Sequence, residues 1–468
     1  MLEELHTNPE CGNSVMKEII RFPSYLLVFF LIGGACAQEE SKEDFPESYS
    51  PNVAQFYPQN VYWGDTHLHT NLSVDAYNFG NRRLRPEEAY RFAKGETVTA
   101  HNGMPVRLRR PLDFLVIADH ASNMGVMNGL ETEDSALLGS EVGRRWMPRL
   151  KAINESAKTD TVNSAKLSNQ LFLDGFLEGV VGTDAFHHSI WKNAIETADK
   201  HNEPGQFTAL IGYEWTQFFY NLHRVVIFRD GAEKAGQEIP FSQFDSSDPE
   251  DLWAYMDKYQ KKTGGEVLAI PHNGNLSTGI MFALQDAKGN PLSRNYARTR
   301  SRWEPLFEVT QIKGDSETHS LLSPTDEFAD FETLSQDTYL FGDKKKERGF
   351  TGYDRWIAQN IREDDPDWMR TYEYARSALK LGLEQQVKLG VNPFKFGMIG
   401  GTDSHTSLAT ADEDNFWGKL TEAEPHPERI TTGWRPALKG GRPGWRMNAA
   451  GYAAVWAEEN TRESLFDA

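Results

Sequence analysis

Cysteine is almost missing from this sequence. The two that occur, Cys11 and Cys36, both precede Gln38. From Gln38 onward the chain therefore has neither a disulfide framework nor thiol chemistry. Basic charge is also scarce: 49 Lys and Arg stand against 68 Asp and Glu, for a formal charge of −19. A nucleic-acid binder needs a basic footprint to displace counterions, so no nucleic-acid partner is expected. An acidic chain can still take an anionic substrate if metal ions supply local positive charge. No apolar run comfortably spans a membrane; the one from Tyr25 to Ile32 falls well short of the roughly 20 residues required. Long low-complexity tracts and internal repeats are absent too. What remains, 468 residues at 39% hydrophobic, fits one large α/β domain with insertions, or two domains.

The N-terminus reads as a targeting segment. Met16 is followed by Lys17 and Arg21, then by the apolar run, then by small residues ending Ala35-Cys36-Ala37. That is the layout of a secretory signal cleaved before Gln38, with residues 1–15 as an upstream extension, and it points to a periplasmic or secreted protein. A lipid anchor on Cys36 ranks second, because Gly33 stands where lipoprotein signals usually carry Leu. Residues 38–57, acidic and rich in Pro and Ser, read as a linker.

From residue 58 a recurrent pattern begins. Apolar runs end in titratable side chains: "VYWGDTHLH" in His67 and His69, "LDFLVIADH" in His120, "FTALIGYEW" in Glu214. "HRVVIF" opens on His223 and reads as the return strand of a hairpin with "TQFFYN" as its turn, and "GEVLAIPHN", "LFEVTQIKG" and "FKFGMIGGTDSH" lead to His272, Lys313, and Asp403 with His405. Continuous apolar runs suit strands buried on both faces of a parallel sheet. Helical stretches lie between them, over 85–95 and from an Asp365 N-cap to Gly390. Residues 121–205 and 274–360 read as long inserts of cap or lid type. Alternating strands and helices, with titratable groups at strand C-termini, predict a (β/α) barrel with its site on that face.

Residues i and i+2 of a strand share a side, so His67 and His69 converge on one point. One such pair is weak evidence. Here six of thirteen histidines, His67, His69, His120, His223, His272 and His405, sit at strand ends beside Asp75, Glu214 and Asp403. An ion needs three or four such ligands, so nine candidates suffice for two or three divalent ions sharing a bridging carboxylate. The mixed nitrogen and oxygen set suits Zn, Mn or Fe rather than Ca.

In order, "YWGDTHLHTNLSVDA", "IADHAS", "IGYEW", "AIPHN", "TQIKGDSETH" and "GGTDSH" resemble the PHP (polymerase and histidinol phosphatase) superfamily, and within it the secreted domain of unknown function 3604 family. The resemblance runs from Pro58 onward. It implies a distorted (β/α)7 TIM-like barrel of PHP type with long helical inserts, and a trinuclear metal site. It also implies a ligand assignment: His67, His69, Glu214 and Asp403 on one ion, Glu214 bridging to a second held by His223 and His272, and Asp75, His120 and His405 on a third. Many members carry His where this chain has Asp75. In the branch it resembles, the terminal stretch "GYAAVWAEENTRESLFDA" leads on into a further strand, which marks this chain as a candidate for C-terminal truncation.

The activity this implies is hydrolysis of a small anionic phosphoester by a metal-bound hydroxide, with Asp403 or His405 relaying the proton. Lys313 and Arg83 are the expected oxyanion contacts, with Arg82, Arg85 and Arg224 as further cations near the ligands. Hydrolysis of an amide, lactone or sulfate ester by the same centre, or anion capture without catalysis, remain as alternatives.

Overall fold

A computed structural model of the chain describes residues 57–177, 179–218, 220–331, 333, 367–429, 433–434, 442–443 and 451–468. The expected signal segment and linker lie outside them, as do Asp365 and Pro366 and much of the 274–360 insert. Among the described residues, no helix is long and apolar enough to cross a membrane.

Strands arise at each predicted apolar run, and also at Gly314–Asp315 and Ala453–Ala457, which the runs do not predict. They are β1 (Asn60–Leu68), β2 (Phe114–Ile117), β3 (Thr208–Gln217), β4 (Leu222–Phe228), β5 (Val267–His272), β6 (Leu306–Gln311), β7 (Gly314–Asp315), β8 (Gly397–Gly400) and β9 (Ala453–Ala457). Their pairing differs from the expectation. One six-stranded sheet has the order β9-β1-β2-β3-β4-β5, and a separate three-stranded sheet has the order β8-β6-β7. Only β1–β2, β2–β3 and β8–β6 pair in parallel, whereas β9–β1, β3–β4, β4–β5 and β6–β7 are antiparallel.

The distorted (β/α)7 TIM-like barrel is therefore corrected to a mixed α/β fold with an open six-stranded sheet. The reason is physical. The link from Gln217 to Leu222 is too short for the crossover a parallel pair requires, so β3 and β4 form the hairpin that the sequence predicts, and β4 then pairs antiparallel with β5 as well. Apolar runs report burial on both faces and do not report strand direction. The two sheets are joined near the site by a parallel bridge between Leu68 and Ser404.

The helix Pro86–Ala93 forms as expected, with Pro in its first turn. The later helix begins at Ala375, beyond a 3-10 turn at Trp368–Tyr372, and ends at Leu389 before a left-handed Gly390. The 121–205 insert is helical, with helices at Val126–Glu131, Glu141–Ser156, Thr161–Leu177 and Asp184–His201. Trp146, Leu150 and Phe186 build a core there that also takes in Val74 and Tyr77. Those two residues flank Asp75, and the Tyr77 hydroxyl donates to Glu131 at 2.6 Å. The insert thus holds the helix Val74–Asn78 that carries a candidate ligand.

Arg224 is not a substrate contact. Alternation along β4 turns it away from His223. It is buried, its Nε donates to Glu304 at 2.9 Å, and its guanidinium lies over the Trp215 ring.

Candidate metal centre

The ladders explain how distant residues meet. His223 and His272 lie directly opposite each other across β4 and β5. Glu214 sits two residues before Thr216, which pairs with His223, so both point to one face. A parallel bridge joins His120 to Glu214. Two aspartates of the motifs fasten the loops rather than face the cluster. Asp65 accepts from the amides of His67 and Thr402, both at 3.0 Å. Asp119 accepts from the Thr70 amide and hydroxyl at 2.6 and 2.7 Å. Asp403 itself has a left-handed backbone, φ 47°, and its amide donates to the His67 carbonyl at 2.8 Å. For a residue other than glycine this conformation is uncommon, and here the surrounding bonds hold it.

All nine expected ligands converge and are buried. Glu214 is the hub. Its Oε2 lies 3.4 Å from His67 Nε2, 3.2 Å from His69 Nε2 and 3.2 Å from His120 Nδ1. Its Oε1 meets His272 Nε2 at 3.0 Å and closely approaches His223 Nδ1. Asp403 Oδ1 is 3.2 Å from His69 Nε2 and 3.6 Å from His67 Nε2, and those two nitrogens are 3.2 Å apart. Asp75 Oδ2 meets His120 Nε2 at 3.0 Å and His405 Nε2 at 2.6 Å.

These distances fit a cation. Ligands at about 2.0–2.1 Å around a tetrahedral zinc stand about 3.3–3.4 Å from one another. Five of the six edges among His67, His69, Glu214 and Asp403 measure 3.2–3.6 Å. Four overlapping groups of the cluster have ligand atoms close enough to hold an ion: His69, Asp75, His120 and His405; His67, His69 and Glu214; His67, His272 and Glu308; His120, Glu214 and His223.

The electrostatics agree. Burial pushes the imidazolium forms of His223 and His405 down to about 3, and lowers that of His272, so these rings are neutral and keep a lone pair. Burial acts the same way on His67 and His69, but the carboxylates outweigh it. Glu308, Asp403 and Glu214 raise His67 well above its usual value; Asp403 and Glu214 lift His69 to about 9. Burial likewise opposes ionisation of Glu214, yet His120, His223 and His272 hold it well below the usual carboxylate range. The carboxylates that keep protons on His67 and His69 would equally favour a metal cation in their place.

A family profile matches residues 57–468, and its description is protein of unknown function (DUF3604). The chain belongs to this family. No curated protein and no solved structure matched it.

In this DUF3604 member Lys313 also reaches the centre. It lies in the turn between β6 and β7, and its ammonium contacts Asp403 Oδ2. Arg83 does not. It is exposed, and its guanidinium donates to the carbonyls of Thr99, at 3.2 Å, and Ala100. The tight loop after the Val74–Asn78 helix carries it outward from the cluster.

Sequence reasoning missed two residues. Lys419 is 4% exposed; its Nζ lies 3.0 Å from Asp403 Oδ2, 2.9 Å from the Asp403 carbonyl and 3.0 Å from His405 Nδ1. It stands in a loop without a motif. Burial lowers its pKa to about 7 against the pull of Asp403. Glu308 lies on β6, both its oxygens 3.1 Å from His67 Nδ1, and orients that ring from behind. Its acid within the apolar run "LFEVTQ" was the available signal.

Gly401 makes room for this pair. A Cβ there would lie 2.6 Å from Glu308 Oε2 and 3.1 Å from His67 Cβ. Gly401→Ala is expected to displace Glu308 and weaken metal affinity about 10–100-fold, the usual cost of losing such a partner. Competition with a zinc-sensitive dye measures it; unchanged affinity would show that Glu308 does not orient His67.

Proposed function

We propose that this chain is a metal-dependent hydrolase of the PHP type, acting outside the cytoplasm on a small phosphoester. The observation that carries the reading is Asp403, whose two oxygens do different work. Oδ1 faces the imidazole pair, while Oδ2 holds the two ammonium groups. Cations and ligands thus lie side by side, as in-line displacement at a phosphoryl group requires.

Divalent ions held by His67, His69, Glu214, Asp403 and their neighbours would acidify a water and polarise phosphoryl oxygens. The chain's own residues supply the rest. Lys313 and Lys419 neutralise Asp403 and offer N–H donors to substrate oxygens. Asp75 orients His120 and His405. The buried walls exclude bulk water, so each charge acts in a low dielectric. Lys313 on a carboxylate is an ammonium; a carbamylated lysine, common in amidohydrolases, would place like charges together. This favours a phosphoester over an amide.

The test is a panel of p-nitrophenyl phosphate, bis-p-nitrophenyl phosphate, p-nitrophenyl sulfate and an anilide, with Zn, Mn or Fe added in turn. Phosphoester turnover that EDTA abolishes and metal restores is expected. Turnover of the sulfate or anilide alone would move the activity to that bond. None at all, with metal bound, would leave an anion-binding protein.

A further inference from the structure

Beside the centre lies a groove of 650 Å³ whose walls include Arg82, Arg83, Arg85 and Arg91. Four arginines against two glutamates, Glu88 and Glu131, make it basic in a chain of net charge −19. Both glutamates are engaged: Glu88 accepts from the Arg85 amide at 3.0 Å, and Glu131 from Tyr77. Arg85 and Arg91 have carboxylate partners, Glu88 at 3.6 Å and Glu96 at 2.8 Å. Arg82 and Arg83 are held without one. Arg82 donates to Asn154 and lies over the Tyr77 ring, and Arg83 rests on backbone carbonyls. Among the described residues neither makes an ion pair, although Glu424 lies within electrostatic range of Arg83.

The groove adjoins the ligand loops. Asn71, in its wall, follows His69 by two residues, and its amide donates to the Leu84 carbonyl at 3.1 Å. Ser407, two residues past His405, donates to the same carbonyl at 2.8 Å and accepts from Asn81. The arginine loop is thereby clamped to both ligand segments.

We propose that this groove binds a second oxyanion, on the part of the substrate remote from the scissile bond, with Arg83 selecting for its charge. This rests on the hydrolase reading for its role, but binding can be tested without turnover.

The probes are glucose 6-phosphate, glucose 6-sulfate, glucuronate and uncharged glucose, titrated calorimetrically into the full chain carrying Glu214→Gln, or into EDTA-treated wild type if that variant does not fold. The charged sugars are expected to bind and glucose not, and their ranking identifies the oxyanion. Arg83→Glu should weaken binding at least about tenfold, while Arg83→Lys, which keeps the charge but loses the fork, should retain part of it. Equal binding by Arg83→Glu, or by glucose, overturns the proposal. In turnover, Arg83→Glu should raise KM about tenfold for a doubly anionic substrate at constant kcat and metal content; an unchanged KM would also overturn it. Charged-sugar binding in a chain that turns over no ester would sink the hydrolase reading alone.

Discussion

Glu214→Gln is expected to release metal from the centre and to lower phosphoester hydrolysis roughly a thousandfold, about 4 kcal/mol at 1.4 kcal/mol per decade. Glu214 is fully buried, and its two oxygens touch five imidazoles: His67, His69 and His120 through Oε2, His223 and His272 through Oε1. Glutamine keeps the volume and one acceptor. It removes the negative charge that a shared carboxylate brings to two cations, and it turns an N–H₂ toward imidazole nitrogens that must present lone pairs. The loss should therefore reach beyond one ion. Metals per chain and kcat on the same preparation read it together. Circular dichroism checks that the fold survives, since Gln causes no steric clash. Full metal content with full activity would remove Glu214 from the centre.

Lys313→Ala should behave differently. Lys313 contacts Asp403 Oδ2, and Lys419 remains 3.0 Å from the same oxygen. Asp403 thus keeps one cation, and the centre gains a negative charge. Metal content should hold or rise, while kcat falls about 100-fold, the scale of losing one preorganised donor to a developing oxyanion. Lys313→Arg should restore part of the loss, because the charge returns with altered reach. If kcat and KM both stay at wild-type values with metals in place, Lys313 serves only to neutralise Asp403.

The convergence of the nine candidate ligands was legible because their chemistry is written locally. His67 and His69 are two apart on a strand, and Glu214, His272, Asp403 and His405 each close an apolar run. Strand ends then needed only to be brought together, which β-ladders do in registers such as His223 opposite His272. Sheet direction was legible only in part. The short "TQFFYN" turn before "HRVVIF" gave away the β3–β4 hairpin, but nothing local marked the antiparallel pairing of β4 with β5 or of β9 with β1, so the open mixed sheet was read as a barrel. Lys419 was missed because its role depends on a long-range approach to Asp403 from a loop with no periodicity. Glu308 was missed for the opposite reason: a single acid inside a strand carries no spacing signal, and only the stacking of β6 behind His67 shows its use. The outward course of Arg83 was not legible, since its neighbours in sequence are candidate ligands while its own loop turns onto Thr99 and Ala100.

The central claim is that the buried cluster holds divalent ions. Elemental mass spectrometry on the purified chain from Gln38, with His67→Ala as its control, tests it most directly. The account predicts two or three ions of Zn, Mn or Fe per wild-type chain and a clear drop in His67→Ala without unfolding. Near-zero metal in a folded wild-type chain, not restored by adding any of the three, would contradict it.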